Sequence, residues 1–77
     1  MAVKNLFVNF ENGENCLVYT YDLSEDEVKR FAEKVTGNGV IEVYHVPQND
    51  LQYYCIEGRC WFDTPEKVAK VRQILAS

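Results

Sequence analysis

An α+β two-layer sandwich is the fold class the sequence predicts: a four- to five-stranded antiparallel sheet with two helices, in the order β-β-α-β-β-(β)-α. Three observations carry this expectation. Residues 3–21 alternate apolar and polar about an Asn12-Gly13 dipeptide, and two segments with strong N-terminal caps at Ser24 and Thr64 follow β-rich stretches. With 77 residues, 47% of them hydrophobic and 26% charged, the chain reads as a single domain over 1–77. It is too apolar for a disordered tail and has no run long enough for a membrane span.

The first strand is expected over 3–10, with Leu6, Val8 and Phe10 on one face and Asn5, Phe7 and Asn9 on the other. Asn-Gly suits a two-residue type I′ turn, in which both residues take positive φ. That turn pairs Glu11 with Glu14, Val8 with Leu17 and Leu6 with Tyr19. Leu17, Tyr19 and Tyr21 then join Leu6, Val8 and Phe10, while Cys16, Val18 and Thr20 join Phe7.

Ser24-Glu25-Asp26-Glu27 is a capping box that starts a helix, with Leu23 and Val28 placed for a hydrophobic staple. Val28, Phe31, Ala32 and Val35 form its apolar stripe, and Gly37-Asn38-Gly39 ends it. Residues 40–46 form the next strand, Pro47 to Asp50 a loop, and residues 51–57 the returning strand. Pairing Val46 with Leu51 places Ile41, Val43, His45, Gln52, Tyr54 and Ile56 on one face. Val40, Glu42, Tyr44, Val46, Leu51, Tyr53, Cys55 and Glu57 take the other. Residues 59–62 form a short fifth strand or extend the fourth past a bulge. Thr64 caps the last helix, with Pro65 at its first position and Val68, Val71 and Leu75 as its stripe. Hairpin then capped helix occurs twice, a structural echo without residue identity.

The formal net charge is -4, which disfavours nucleic acid and anionic membranes and favours a partner with a basic surface. The three cysteines, Cys16, Cys55 and Cys60, make no disulfide framework. The first ten residues carry no secretory pattern, so a complete cytoplasmic protein with reduced thiols is expected.

Few chemistries have the residues they require. His45 is the one histidine, and a Cys–His dyad with Cys55 would need both on one face. Cys16, His45, Cys55 and Cys60 lack the short paired spacing of a structural zinc site. Gly37-Asn38-Gly39 follows a helix, not a strand, and is therefore no phosphate loop. No catalytic residue, metal or cofactor is assigned. The candidate binding face is Phe7, Val18, Tyr44, Val46, Leu51 and Tyr53, which is too apolar for a solvated sheet face unless the Trp61 segment covers it.

The expectation is thus a small acidic, non-enzymatic protein-interaction module, a regulator, adaptor or inhibitor that engages a protein partner through an aromatic sheet face. Weak homodimerisation through the same face is the accompanying expectation. Two other classes compete: a single-stranded nucleic-acid binder stacking bases on the sheet aromatics, and a small enzyme or metal module built on the cysteines and His45.

Overall fold

Alternation, caps and β-branched runs produce the elements in the computed structural model, which describes residues 3–77. The strands are β1 (Lys4–Phe10), β2 (Asn15–Thr20), β3 (Val40–His45) and β4 (Arg59–Phe62); the helices are α1 (Glu25–Thr36) and α2 (Pro65–Ala76). A 3-10 helix, Gln48–Tyr53, stands between β3 and β4. Met1 and Ala2, included in the expected 1–77 domain and in the leader reading, lie outside the described residues.

The class is α+β, but the sheet is mixed. Its order is β3-β1-β2-β4, with β1 antiparallel to β2 and β3, and β4 parallel to β2. The expected strand over 51–57 is not formed, and the fourth strand is the short one at 59–62. The cause is topological. β3 and β4 run in the same direction on opposite edges, so the chain between them must cross a sheet face, as parallel connections do. Residues 46–58 make that crossing as a strap.

The hairpin register differs by one residue from the expected one. Val8 pairs with Cys16 and Leu6 with Val18. The turn has three residues, with Phe10 N–H donating to Glu14 O (2.9 Å) and Gly13 N–H to Phe10 O (3.1 Å). Gly13 has φ +90°, and no non-glycine residue has positive φ among the described residues. Asn12 accepts from Glu14 N–H through Oδ1 (3.0 Å). A type I′ turn would force Asn12 into the left-handed region, whereas this turn asks it only of glycine. The shift exchanges the faces of β2: Leu17 and Tyr19 join Phe7, and Val18 joins Leu6 and Val8.

A bulge in β3 makes a second departure. The pairing moves between Asn9 with Glu42 and Phe10 with Val40, so Ile41 is 63% exposed instead of core. Val40 and Val43 both turn toward the helices, and His45 is exposed.

Helix ends follow the sequence closely. Ser24 Oγ accepts from Glu27 N–H (3.1 Å) and Glu27 Oε1 from Ser24 N–H (3.0 Å). Gly37 closes α1 in the left-handed region at φ +74°. Thr64 Oγ1 accepts from Lys67 N–H (3.3 Å) to cap α2. Arg72 on α2 then donates to Asp22 and to Glu27 (both 2.8 Å), joining the second helix to the start of the first. The Arg72 guanidinium, with the Ser24 cap, holds the Glu27 carboxyl down to about 2.

Two cores result. Leu6, Val8, Phe10, Val18 and Val40 pack with Leu23, Val28, Val68 and Val71 on the helix side. Phe7, Leu17 and Val46 are buried on the other side, with Tyr19, Tyr44, Leu51, Tyr54 and Ile56 against them. The strap is pinned at both ends. Asn5 Nδ2 donates to Val46 O (3.3 Å) and Gln48 Oε1 (3.2 Å). Asn15 exchanges two bonds of 2.9 Å with Glu57 and donates a third to Cys55 O.

This arrangement ranks two substitutions. Phe7→Ala opens a cavity under the strap and should cost about 3–5 kcal/mol. Ile41→Ala should stay within about 0.5 kcal/mol, since its side chain is at the surface. Urea titration of both variants checks the order, and a reversed ranking would contradict the register and the bulge.

Candidate functional site

The expected binding face is largely interior. Phe7 and Val46 are buried, and Tyr44 and Leu51 are half-buried in the same cluster. Val18 lies on the opposite face, under the helices, because of the one-residue register shift. Tyr53, at the end of the 3-10 helix, is 78% exposed. The cover is the strap itself, with Tyr54 stacked at a tilt on Phe7 (4.9 Å between ring centroids). Burying Leu51, Tyr54 and Ile56 on an apolar sheet face outweighs the β-propensity of 51–57.

Exposed aromatic surface occurs at the β4 edge. Alternation along Arg59-Cys60-Trp61-Phe62 sends Cys60 and Phe62 toward the helices and leaves Arg59 and Trp61 on the strap side. The Trp61 indole, 51% exposed, stacks on Tyr19 at 5.4 Å and 10°. Arg59 lies 5.8 Å from the Tyr19 ring centre and donates to its hydroxyl. Among the described residues, no backbone hydrogen bond joins the outer edge of β4 to another segment. The other edge is blunted: β3 carries the bulge at Ile41, and Glu33 Oε2 accepts from Val40 N–H (3.0 Å). A groove of about 260 Å³ runs beside β4, walled by Trp61, Phe62, Val71 and Ile74 and flanked by Lys67 and Lys70. Lys67 is paired with Asp63 (3.2 Å).

The cysteines divide into a pair and a single residue. Cys16 on β2 and Cys60 on β4 are half-buried on the helix side, with Sγ atoms 3.8 Å apart. They border an apolar cavity of about 250 Å³ between the sheet and α1, whose walls include Val8, Val28, Phe31 and Ala32. Cys55 is exposed on the strap. His45 is on β3, separated from β2 and β4 by β1, so the structure does not bring it to the Cys16–Cys60 pair. Among the described residues, no group of three or more His, Cys, Asp and Glu side chains could hold a metal ion.

The two thiols titrate as one interacting pair. A hydrogen bond from Cys16 holds the Cys60 thiol down to about 6, against the opposing effect of burial. Cys16 is pushed up by the same bond to Cys60, then by burial and by the neighbouring negative charge. Sequence spacing gave no sign of this pair, since residues 16 and 60 meet only through the parallel β2–β4 pairing. The Cys60 thiolate should be populated above about pH 6 and lost below it. In a Cys55→Ser background, the rate of Cys60 alkylation by iodoacetamide should therefore rise through a midpoint near pH 6. Cys16→Ala removes the donor and should move that midpoint upward; an unchanged midpoint would show that Cys16 does not hold the thiolate.

No helix of the described residues is long and apolar enough to cross a membrane. Comparison with known proteins finds no matching family model, no matching curated protein and no matching solved structure.

Proposed function

We propose that this chain is a small, non-enzymatic cytoplasmic protein-interaction module whose partner adds an extended segment to the outer edge of β4. The observation that carries this reading is the edge of β4, unpaired among the described residues, with the exposed Trp61 beside it. A free strand edge offers a row of backbone donors and acceptors to an incoming strand, and neighbouring pockets for alternate side chains supply selectivity. Trp61 is the natural anchor, since tryptophan is enriched among residues that dominate binding energy. The Tyr19 ring holds the indole in place, which lowers the entropy lost on docking.

Local charge, rather than the net charge of -4, sets the partner's chemistry. Arg59 and Lys70 flank the edge and groove, and Lys67 is already neutralised by Asp63. The fitting segment is extended, with an apolar side chain for the groove and a carboxylate for Lys70. This changes the sign of the partner anticipated from composition and moves the contact from the sheet centre to its edge.

Selection from a random-peptide display library on the intact protein tests the reading. Enriched peptides should combine an apolar residue with Asp or Glu, shift the amide resonances of Arg59–Phe62, and bind Trp61→Ala about tenfold more weakly or worse. The proposal fails if no peptide is enriched, or if bound peptides shift amides elsewhere and ignore Trp61→Ala. Tight binding of a short oligothymidylate, with affinity falling steeply in salt, would replace it with the nucleic-acid reading. A concentration-dependent dimer lost in Trp61→Ala would make a second copy of the chain the occupant.

A further inference from the structure

We propose that Cys16 and Cys60 form a redox-active dithiol, which closes to an intramolecular disulfide by exchange with a small, uncharged disulfide entering from the apolar cavity beneath α1. Geometry brings the two sulfurs together. Val18 pairs with Cys60, and Cys16 precedes it by two positions on the same face, so both side chains project toward the helices from adjacent strands. Their sulfurs are 3.8 Å apart against about 2.05 Å in a disulfide, and the two-residue offset across neighbouring strands sets their Cα atoms about 7–8 Å apart, so closing the bond also draws the edge strand β4 toward Cys16. Both are half-buried, and the adjoining 250 Å³ cavity supplies the space in which they can swing and a mixed disulfide can sit. Its walls are chiefly apolar, which favours an uncharged disulfide over an anionic one.

The two thiols take different parts. Cys60, on the edge strand and within reach of the Cys16 thiol as a donor, attacks one sulfur of R–S–S–R, forms the mixed disulfide and releases RS⁻, which takes up a proton. Cys16 then loses its proton to water and attacks the Cys60 sulfur. The Cys16–Cys60 bond forms, the Cys60–SR bond breaks, and the second R group leaves as a thiol. Two electrons pass from the protein sulfurs to the small disulfide, which becomes two RSH. The product ties β4 to β2, the strand with which it pairs. Cys55 takes no part, because the strap that carries it crosses the other face.

The experiment uses the full chain carrying Cys55→Ser, an exposed position, and 2-hydroxyethyl disulfide as the probe, with intact mass and peptide mapping as readouts. The expected product has lost two hydrogens, carries a Cys16–Cys60 cross-linked peptide, and reverts with dithiothreitol. Adding Cys16→Ala should halt the reaction at one mercaptoethanol adduct on Cys60. Adding Cys60→Ala instead should slow the reaction of the remaining thiol at pH 7 at least tenfold. Adducts without a cross-link in the Cys55→Ser protein would overturn the proposal. That arm leaves both core thiols in place, so it decides the matter even if a core variant fails to fold. Equal rates for the two single-thiol proteins would overturn the assignment of Cys60 as the attacking sulfur.

Discussion

The register of the β1–β2 hairpin is the constraint on which the rest of this structure depends. A three-residue turn with Gly13 in the left-handed region pairs Phe7 with Leu17 and Val8 with Cys16. Since strand side chains alternate, that choice decides which residues of β2 lie beneath the helices. Val18 completes the helix-side core, and Leu17 becomes the floor of the second core. Asn15 is placed where it can hold the end of the strap, as Asn5 holds its beginning. Cys16 is turned toward Cys60 by the same alternation.

The strap follows from the mixed topology. A purely antiparallel sheet would have let residues 51–57 return beside β3 and left one sheet face uncovered. With β4 on the far edge and parallel to β2, residues 46–58 travel across that face and bury Leu51, Tyr54 and Ile56 against Phe7 and Leu17. A short chain, with little surface to spare for a single core, thereby covers both faces of its sheet. The exposed aromatic surface is displaced to the β4 edge, where Trp61 and Tyr19 stack.

Much of this was legible in the sequence where the cause is local. The Ser24 capping box, the Thr64 cap with Pro65, and the Gly37 terminus each rest on residues within four positions of one another, and all three form. β1, β2 and β3 were equally legible, because alternation and β-branching are short-range signals. What failed depended on distant residues. The 51–57 segment is rich in strand formers, yet its conformation is decided by the position of β4 and by the asparagines on β1 and β2. Ile41 reads as core by parity, and one bulge moves it to solvent. Phe7 and Val46 of the candidate face are buried, and what covers them is the chain's own strap. The Cys16–Cys60 pair has no sequence spacing that could reveal it.

Because the turn, the strap and the thiol pair all rest on one register, the most direct test is the set of cross-strand contacts in solution. The bond from Phe10 N–H to Glu14 O makes that pair hydrogen-bonded, so alternation makes Phe7 with Leu17 and Asn5 with Tyr19 the closely spaced pairs. Proton–proton Overhauser measurements on the intact protein should give strong Hα–Hα contacts for both pairs, together with contacts between the Phe7 and Tyr54 rings. Strong Hα–Hα contacts joining Val8 to Leu17, with no contact between the Phe7 and Tyr54 rings, would contradict the register and everything derived from it.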